Sequence, residues 1–254
     1  MRFVNVGVMY HPVFGTVYFD IELSNTTDYV PENALSNGFV RSKFAQVNLA
    51  CSQSVGLRAT LKRSCAAAPS CAVCDALPDA PGQIACYAAG CACVGQTVSL
   101  QSECTTSAVD SNKISYTCAR IHDSLVLPRN APASLSVFDL DTDAAGETVE
   151  QIAVPQYEYF KTPLRAVSGN AVTSSVFANT VARVFTGTQP GADPDDISDS
   201  PTDPLLLSDD QAGRGVQFFF WPEYGYIEAT YSVSYPASGS CTGRNLMFAG
   251  DSGL

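Results

Sequence analysis

Three aspartates at alternate positions, Asp139, Asp141 and Asp143, are followed within seven residues by Glu147 and Glu150. So many carboxylates in one short stretch repel one another unless something positive sits among them. A hard cation held by oxygen ligands is the chemistry this spacing suggests, and calcium is the expected ion. Asp139, Asp141, Asp143 and Glu150 occupy positions 1, 3, 5 and 12 of a helix-loop-helix calcium loop, but position 6, where the turn needs glycine, is Ala144. The flanks read as strands, so the ion expected here orders a loop in a β-protein rather than catalysing. Asp139 and Asp141 are its leading ligands, with Asp143 next. The competing reading is a solvated acidic turn bent at Gly146, with Asp139 and Asp141 sharing one strand face open to solvent.

Other residues carry weaker chemistry. Asp193, Asp195, Asp196, Asp199 and Asp203 form a second acidic stretch, but among so many prolines they read as a soluble loop. Cys71-x-x-Cys74 and Cys91-x-Cys93 have the form of a four-thiolate zinc site, which would leave six cysteines without a role. A redox dithiol at Cys71 and Cys74 lacks the βαβ context. The tail Gly250-Asp251-Ser252-Gly253-Leu254 echoes the nucleophile loop of trypsin-like proteases, but a base and an orienting acid are required and the only histidines are His11 and His122. Asp139 and Glu223 as a glycosidase pair have no spacing to support them. No catalytic constellation results, and the chain is expected not to be an enzyme. Trp221, Tyr224 and Tyr226 cluster at a turn and suit a sugar or protein surface. Arg244 is expected to pair with a core or loop carboxylate.

Composition narrows the setting. The 254 residues carry a net charge of −11, with a pI near 4.4. That disfavours nucleic acid and anionic lipid as partners. No apolar run approaches the ~18 residues of a membrane-spanning helix. The ten cysteines are Cys51, Cys65, Cys71, Cys74, Cys86, Cys91, Cys93, Cys104, Cys118 and Cys241, nine of them between positions 51 and 118. An even, crowded set reads as a disulfide framework in an oxidising compartment, extracellular or within an organelle lumen, with pairings that spacing leaves open. Cys241 is expected to close onto the main body or onto the cysteine-rich stretch. Asn25-Thr26-Thr27 is a glycosylation sequon. Met1 to Val8 lacks a signal-peptide pattern. The chain is therefore expected to be a mature form, a partial gene model or an excised region, and its end at Gly253-Leu254 fits that expectation.

The elements that must position these residues are strands. Alternation marks two strands over residues 3–24, then strands over 39–49, 57–61, 116–127, 135–140, 152–160, 181–185, 216–221, 224–235 and 243–250. Prolines and aspartates exclude regular structure over 187–210. Residues 65–104 are rich in Ala, Cys, Pro and Gly and too poor in large apolar groups to build a core. The reading is an all-β protein, an antiparallel β-sandwich forming one domain over 1–254 with a disulfide-rich irregular insertion at 65–104.

A set of motifs runs in order along nearly the whole chain: Asn25 to Tyr29, Asn37-Gly38-Phe39, Ser136 to Asp141, Pro201 to Leu205, Val216 to Phe220 and Gly243 to Gly250. Together they resemble a little-characterised family of secreted β-rich domains predicted in unicellular algae. The resemblance implies a surface or lumenal sandwich, lectin-like in shape, and implies no activity. The expected role is a structural or interaction module in an extracellular or lumenal assembly, with protein partners or glycans. The alternatives are a carbohydrate-binding module and an accessory subunit on the lumenal face of a membrane complex such as a photosynthetic one.

Overall fold

The computed structural model describes residues 2–11, 15–41, 43–63, 104–110, 113–118, 133–191, 200–221, 225–236, 241 and 243–251. Its strands are β1 (Arg2–His11), β2 (Gly15–Asn25), β3 (Gly38–Val40), β4 (Phe44–Leu49), β5 (Gln53–Arg63), β6 (Cys104–Asp110), β7 (Lys113–Cys118), β8 (Ala133–Phe138), β9 (Val149–Ala153), β10 (Tyr159–Lys161), β11 (Val176–Asn179), β12 (Val184–Gly187), β13 (Val216–Phe220), β14 (Tyr226–Ser234) and β15 (Arg244–Asp251). A short helix, α1 (Asp209–Gly213), precedes β13.

Apart from the terminal residues, the chain forms two compact units. The smaller takes in Arg2–Glu22 and Thr60–Leu127. Most of the expected insertion, residues 65–103, lies outside the described residues. Within this unit β1 and β2 pair antiparallel, as do β6 and β7.

The larger unit, Leu23–Ala59 and Pro128–Gly253, holds the sandwich. One sheet runs β5-β14-β9-β12-β11 and the other β10-β13-β8-β15-β4-β3. β9, β12 and β13 alternate as half-buried strands do. Glu150 and Ile152 of β9, with Val154 just beyond it, face inward, as do Tyr231 and Val233 of β14. From the second sheet Val137, Val216, Phe218, Leu246 and Phe248 face them. The rings of Phe185 and Phe218 meet edge to face at 4.7 Å, and Tyr157 packs 5.6 Å from Phe185. Burying each of these large side chains contributes about 1.5–3 kcal/mol.

The second sheet is covered on its other face as well. Phe44, Phe138 and Met247 pack against Ala166, against Leu207 just before α1 and against Ala212 within it. The expectation that no regular structure forms up to residue 210 fails at α1. Ser208 accepts from the Gln211 backbone and Gln211 reaches back to Ser208, forming a capping box that starts the helix. Val181, read as part of a strand, is 96% exposed. It sits in the β11–β12 turn, where Asn179 Oδ1 accepts from the Ala182 amide at 3.0 Å and Arg183 is left-handed with φ 56°. Residues 119–127 of the expected 116–127 strand lie outside the described residues.

Candidate functional site

β8 ends at Phe138, and the acidic stretch begins by leaving the sheet. Asp139 takes a left-handed conformation, φ 61°, which aspartate tolerates better than most residues. This breaks the strand alternation, so the expectation that Asp139 and Asp141 share a solvent face does not hold. Asp141 is 4% exposed. Its neighbour Leu140 is tied down by a bond from its amide to the Arg214 carbonyl at 3.0 Å, and the Glu150 amide donates to the Asp141 carbonyl at 3.1 Å.

The positive groups that the carboxylates demand come from the chain itself. Arg244 opens β15 on the same face as Leu246 and Phe248, and is 5% exposed. Its Nη1 lies 3.5 Å from Asp141 Oδ1. Arg214, which follows α1, sits 3.8 Å from Asp139 Oδ1 and 4.0 Å from Asp141 Oδ2, and donates to the Pro190 carbonyl at 3.1 Å. Glu150, 3% exposed, accepts from the Asp141 amide at 3.2 Å and from the Tyr231 hydroxyl. Ser200 donates to Asp139 at 2.9 Å. Three carboxyl groups and two guanidinium groups thus lie together, with one shared proton enough to make the set neutral.

Burial shapes the titration. Asp141 is pushed up to about 9, first by desolvation and then by the charges of Glu150 and Asp139, with Arg244 opposing. Glu150 is pushed up to about 7 by desolvation, against the Tyr231 hydrogen bond and Arg244. Tyr231 is raised well above its ordinary value by burial and by Glu150. Asp141 Oδ1 has no hydrogen-bond partner, which fits a carboxyl group for which the arginine is near but not in bonding contact.

Asp143 takes no part. It accepts from the Glu147 amide at 2.7 Å and from the Thr148 hydroxyl at 2.7 Å. Its pKa is lowered, because these bonds outweigh a desolvation that acts the other way. Gly146, φ 72°, makes the bend here. Of the four expected calcium ligands, Asp139, Asp141 and Glu150 come together beside the two arginines, and Asp143 caps its own turn. Among the described residues no group of three or more His, Cys, Asp or Glu is arranged to hold a metal ion.

Two glycines that sequence reading passed over close the site. A Cβ on Gly191 would stand 1.5 Å from Asp141 Oδ2, and one on Gly187 would stand 2.4 Å from the Asp141 amide nitrogen. The Gly191 amide also donates to the Thr142 carbonyl at 2.8 Å. Gly191→Ala is expected to lower stability by about 1–3 kcal/mol through overpacking, read as a shift in the urea midpoint. An unchanged midpoint would mean that the 187–191 segment does not press on Asp141.

The remaining expected residues fall elsewhere. Cys51, just beyond β4, and Cys241, before β15, form a disulfide with Cα atoms 6.2 Å apart. Cys241 thus closes onto the body of the sandwich. The Gly243 amide donates to Cys51 Sγ at 3.3 Å, and the Thr148 hydroxyl lies 3.9 Å from Cys241 Sγ, so the bridge borders the acidic turn. Cys65, Cys71, Cys74, Cys86, Cys91 and Cys93 lie outside the described residues, as do Tyr224, Glu223 and His122. Trp221 is 45% exposed. Tyr226 does not share its surface freely, because the Arg58 guanidinium lies 4.6 Å over its ring. Asn25 is exposed and its amide donates to the Thr27 carbonyl at 2.9 Å. Compared with protein-family models, with characterised proteins and with solved structures, the chain matches none.

Proposed function

We propose that the chain is a non-enzymatic structural or interaction module of an extracellular or lumenal assembly. One observation carries this reading. The residues best able to do chemistry, Asp139, Asp141 and Glu150, are spent on an internal ion cluster with Arg214 and Arg244 that joins the two sheets. Arginines do the work expected of calcium, so adding calcium should leave the urea midpoint where it was; a clear rise would restore the ion reading. The Cys51–Cys241 bridge supports an oxidising setting, the setting that the resemblance to secreted algal domains implies.

Contact surface is on offer beside α1. Val167, Leu205 and Leu206 are 62%, 82% and 63% exposed, and the Val167 amide bonds to the Leu207 carbonyl, which brings them together. Mild fractionation of native source material, with mass spectrometry following this chain, tests the reading. Stoichiometric co-migration with a larger assembly is expected, including one on a lumenal membrane face. A chain running alone would count against it.

A carbohydrate-binding role is the second reading, and a specific observation favours it. Half-exposed Trp221 lies just beyond β13, two residues after Phe219, and Phe219 stacks at 4.3 Å on the half-exposed Tyr159 of the adjacent β10. Sugar rings bind to such exposed aromatic faces. Trp221 is the only tryptophan, so quenching of its fluorescence across a glycan panel reads this directly. No response to any glycan would remove this reading.

A further inference from the structure

We propose that Cys104 and Cys118 are joined by a disulfide across the mouth of the β6–β7 hairpin. The pairing register is the ground for it. β6 and β7 form a two-stranded sheet of their own, and Cys104 stands directly opposite Cys118, followed inward by Thr105↔Thr117 and Thr106↔Tyr116. Residues directly opposed in an antiparallel pair have Cα atoms about 4.5 or about 5.5 Å apart, according to the hydrogen-bonding site. Both values lie inside the roughly 4.4–6.8 Å that a disulfide spans. The two cysteines also occupy the open end of the hairpin, the place where a two-stranded ribbon frays first.

Cysteine arithmetic agrees. Cys51 and Cys241 are bonded to each other. Pairing Cys104 with Cys118 leaves six cysteines, all between positions 65 and 93. The framework then separates into a bridge within the sandwich, a bridge across the hairpin and a self-contained knot of about 15 conceivable pairings. The bond forms when each thiol gives up its hydrogen. Two electrons and two protons pass to the disulfide of an external thiol–disulfide oxidant, which leaves as a dithiol.

The inference rests on the oxidising-compartment reading, and one digest separates the two. The full chain is purified from its source with free thiols trapped at lysis by a maleimide, then cut without reduction by trypsin and a glutamyl endopeptidase. Cleavage after Glu103, Lys113 and Arg120 releases Cys104–Lys113 and Ile114–Arg120. The expected product is these two peptides linked, at their summed mass less two hydrogens, parting on reduction. Ile114–Arg120 linked to any other cysteine peptide overturns this pairing and keeps the compartment. Maleimide on Cys104, Cys118 and most other cysteines overturns both.

Discussion

Arg244→Met is expected to lower the unfolding free energy by about 3–5 kcal/mol at pH 7, the loss that follows when a buried carboxyl cluster that still carries net negative charge loses one of its two guanidinium partners. The methionine fills much of the same volume beside Leu246, so a cavity is not the cause. What remains is Asp141 at 4% exposure and Glu150 at 3% with the nearer guanidinium gone. Arg214 stays at 4.0 Å from Asp141 but is held by the Pro190 carbonyl and cannot move in to replace it. Urea denaturation of wild type, Arg244→Met and Arg244→Met/Asp141→Asn measures this. The double variant should recover a good part of the loss, because a neutral amide needs no counter-charge. Lowering the pH should also narrow the gap between Arg244→Met and wild type, since protonation does by titration what the asparagine does by substitution. A loss under about 1 kcal/mol would place Arg244 among exposed ion pairs and remove the cluster as a link between the sheets.

The sheet frame was readable because its signal is local. Val216, Phe218 and Phe220 alternate with Gln217 and Phe219, and the structure buries the first set. Part of the cluster was readable in the same way. Glu150 alternates with Ile152 and Val154, and Arg244 with Leu246 and Phe248, which assigns both charged groups to the core face and so to each other. Matching Glu150 to position 12 of a calcium loop hid that alternation. Asp139 misled because a single left-handed residue ends β8, and nothing in the neighbouring sequence announces it. Gly187 and Gly191 were silent for a different reason: their role is a contact with Asp141 across about 50 residues of chain, which no periodicity encodes. The start of α1 did carry a signal, Ser208 followed three residues later by Gln211, masked by the prolines and aspartates before it.

Stability is expected to fall as the pH rises from about 5 to 9, opposite to the usual behaviour of carboxylates. Asp141 has a folded pKa of about 9 against an ordinary 3.8, and Glu150 about 7 against 4.5. A carboxyl group whose folded value is raised prefers to fold protonated. Its contribution is fully present below the unfolded pKa, near pH 4, and is lost as the pH climbs through the folded pKa. Asp143 and Asp203, both lowered, act in the other sense, contributing above about pH 4 and losing that contribution below it. The two trends cross to give a maximum near pH 5. Asp141 and Glu150 titrate as a pair, and each proton the folded pair holds beyond the unfolded chain adds up to about 1.4 kcal/mol per pH unit to the slope above the maximum. Denaturation midpoints taken at intervals from pH 4 to 9 measure it in wild type, Asp141→Asn and Glu150→Gln. Either substitution replaces one of the two titrating carboxyls with a neutral amide and should make the slope between pH 5 and 9 shallower. If wild type is instead flat or gains stability over that range, both carboxyls fold ionised, and the two arginines hold the full charge of the cluster.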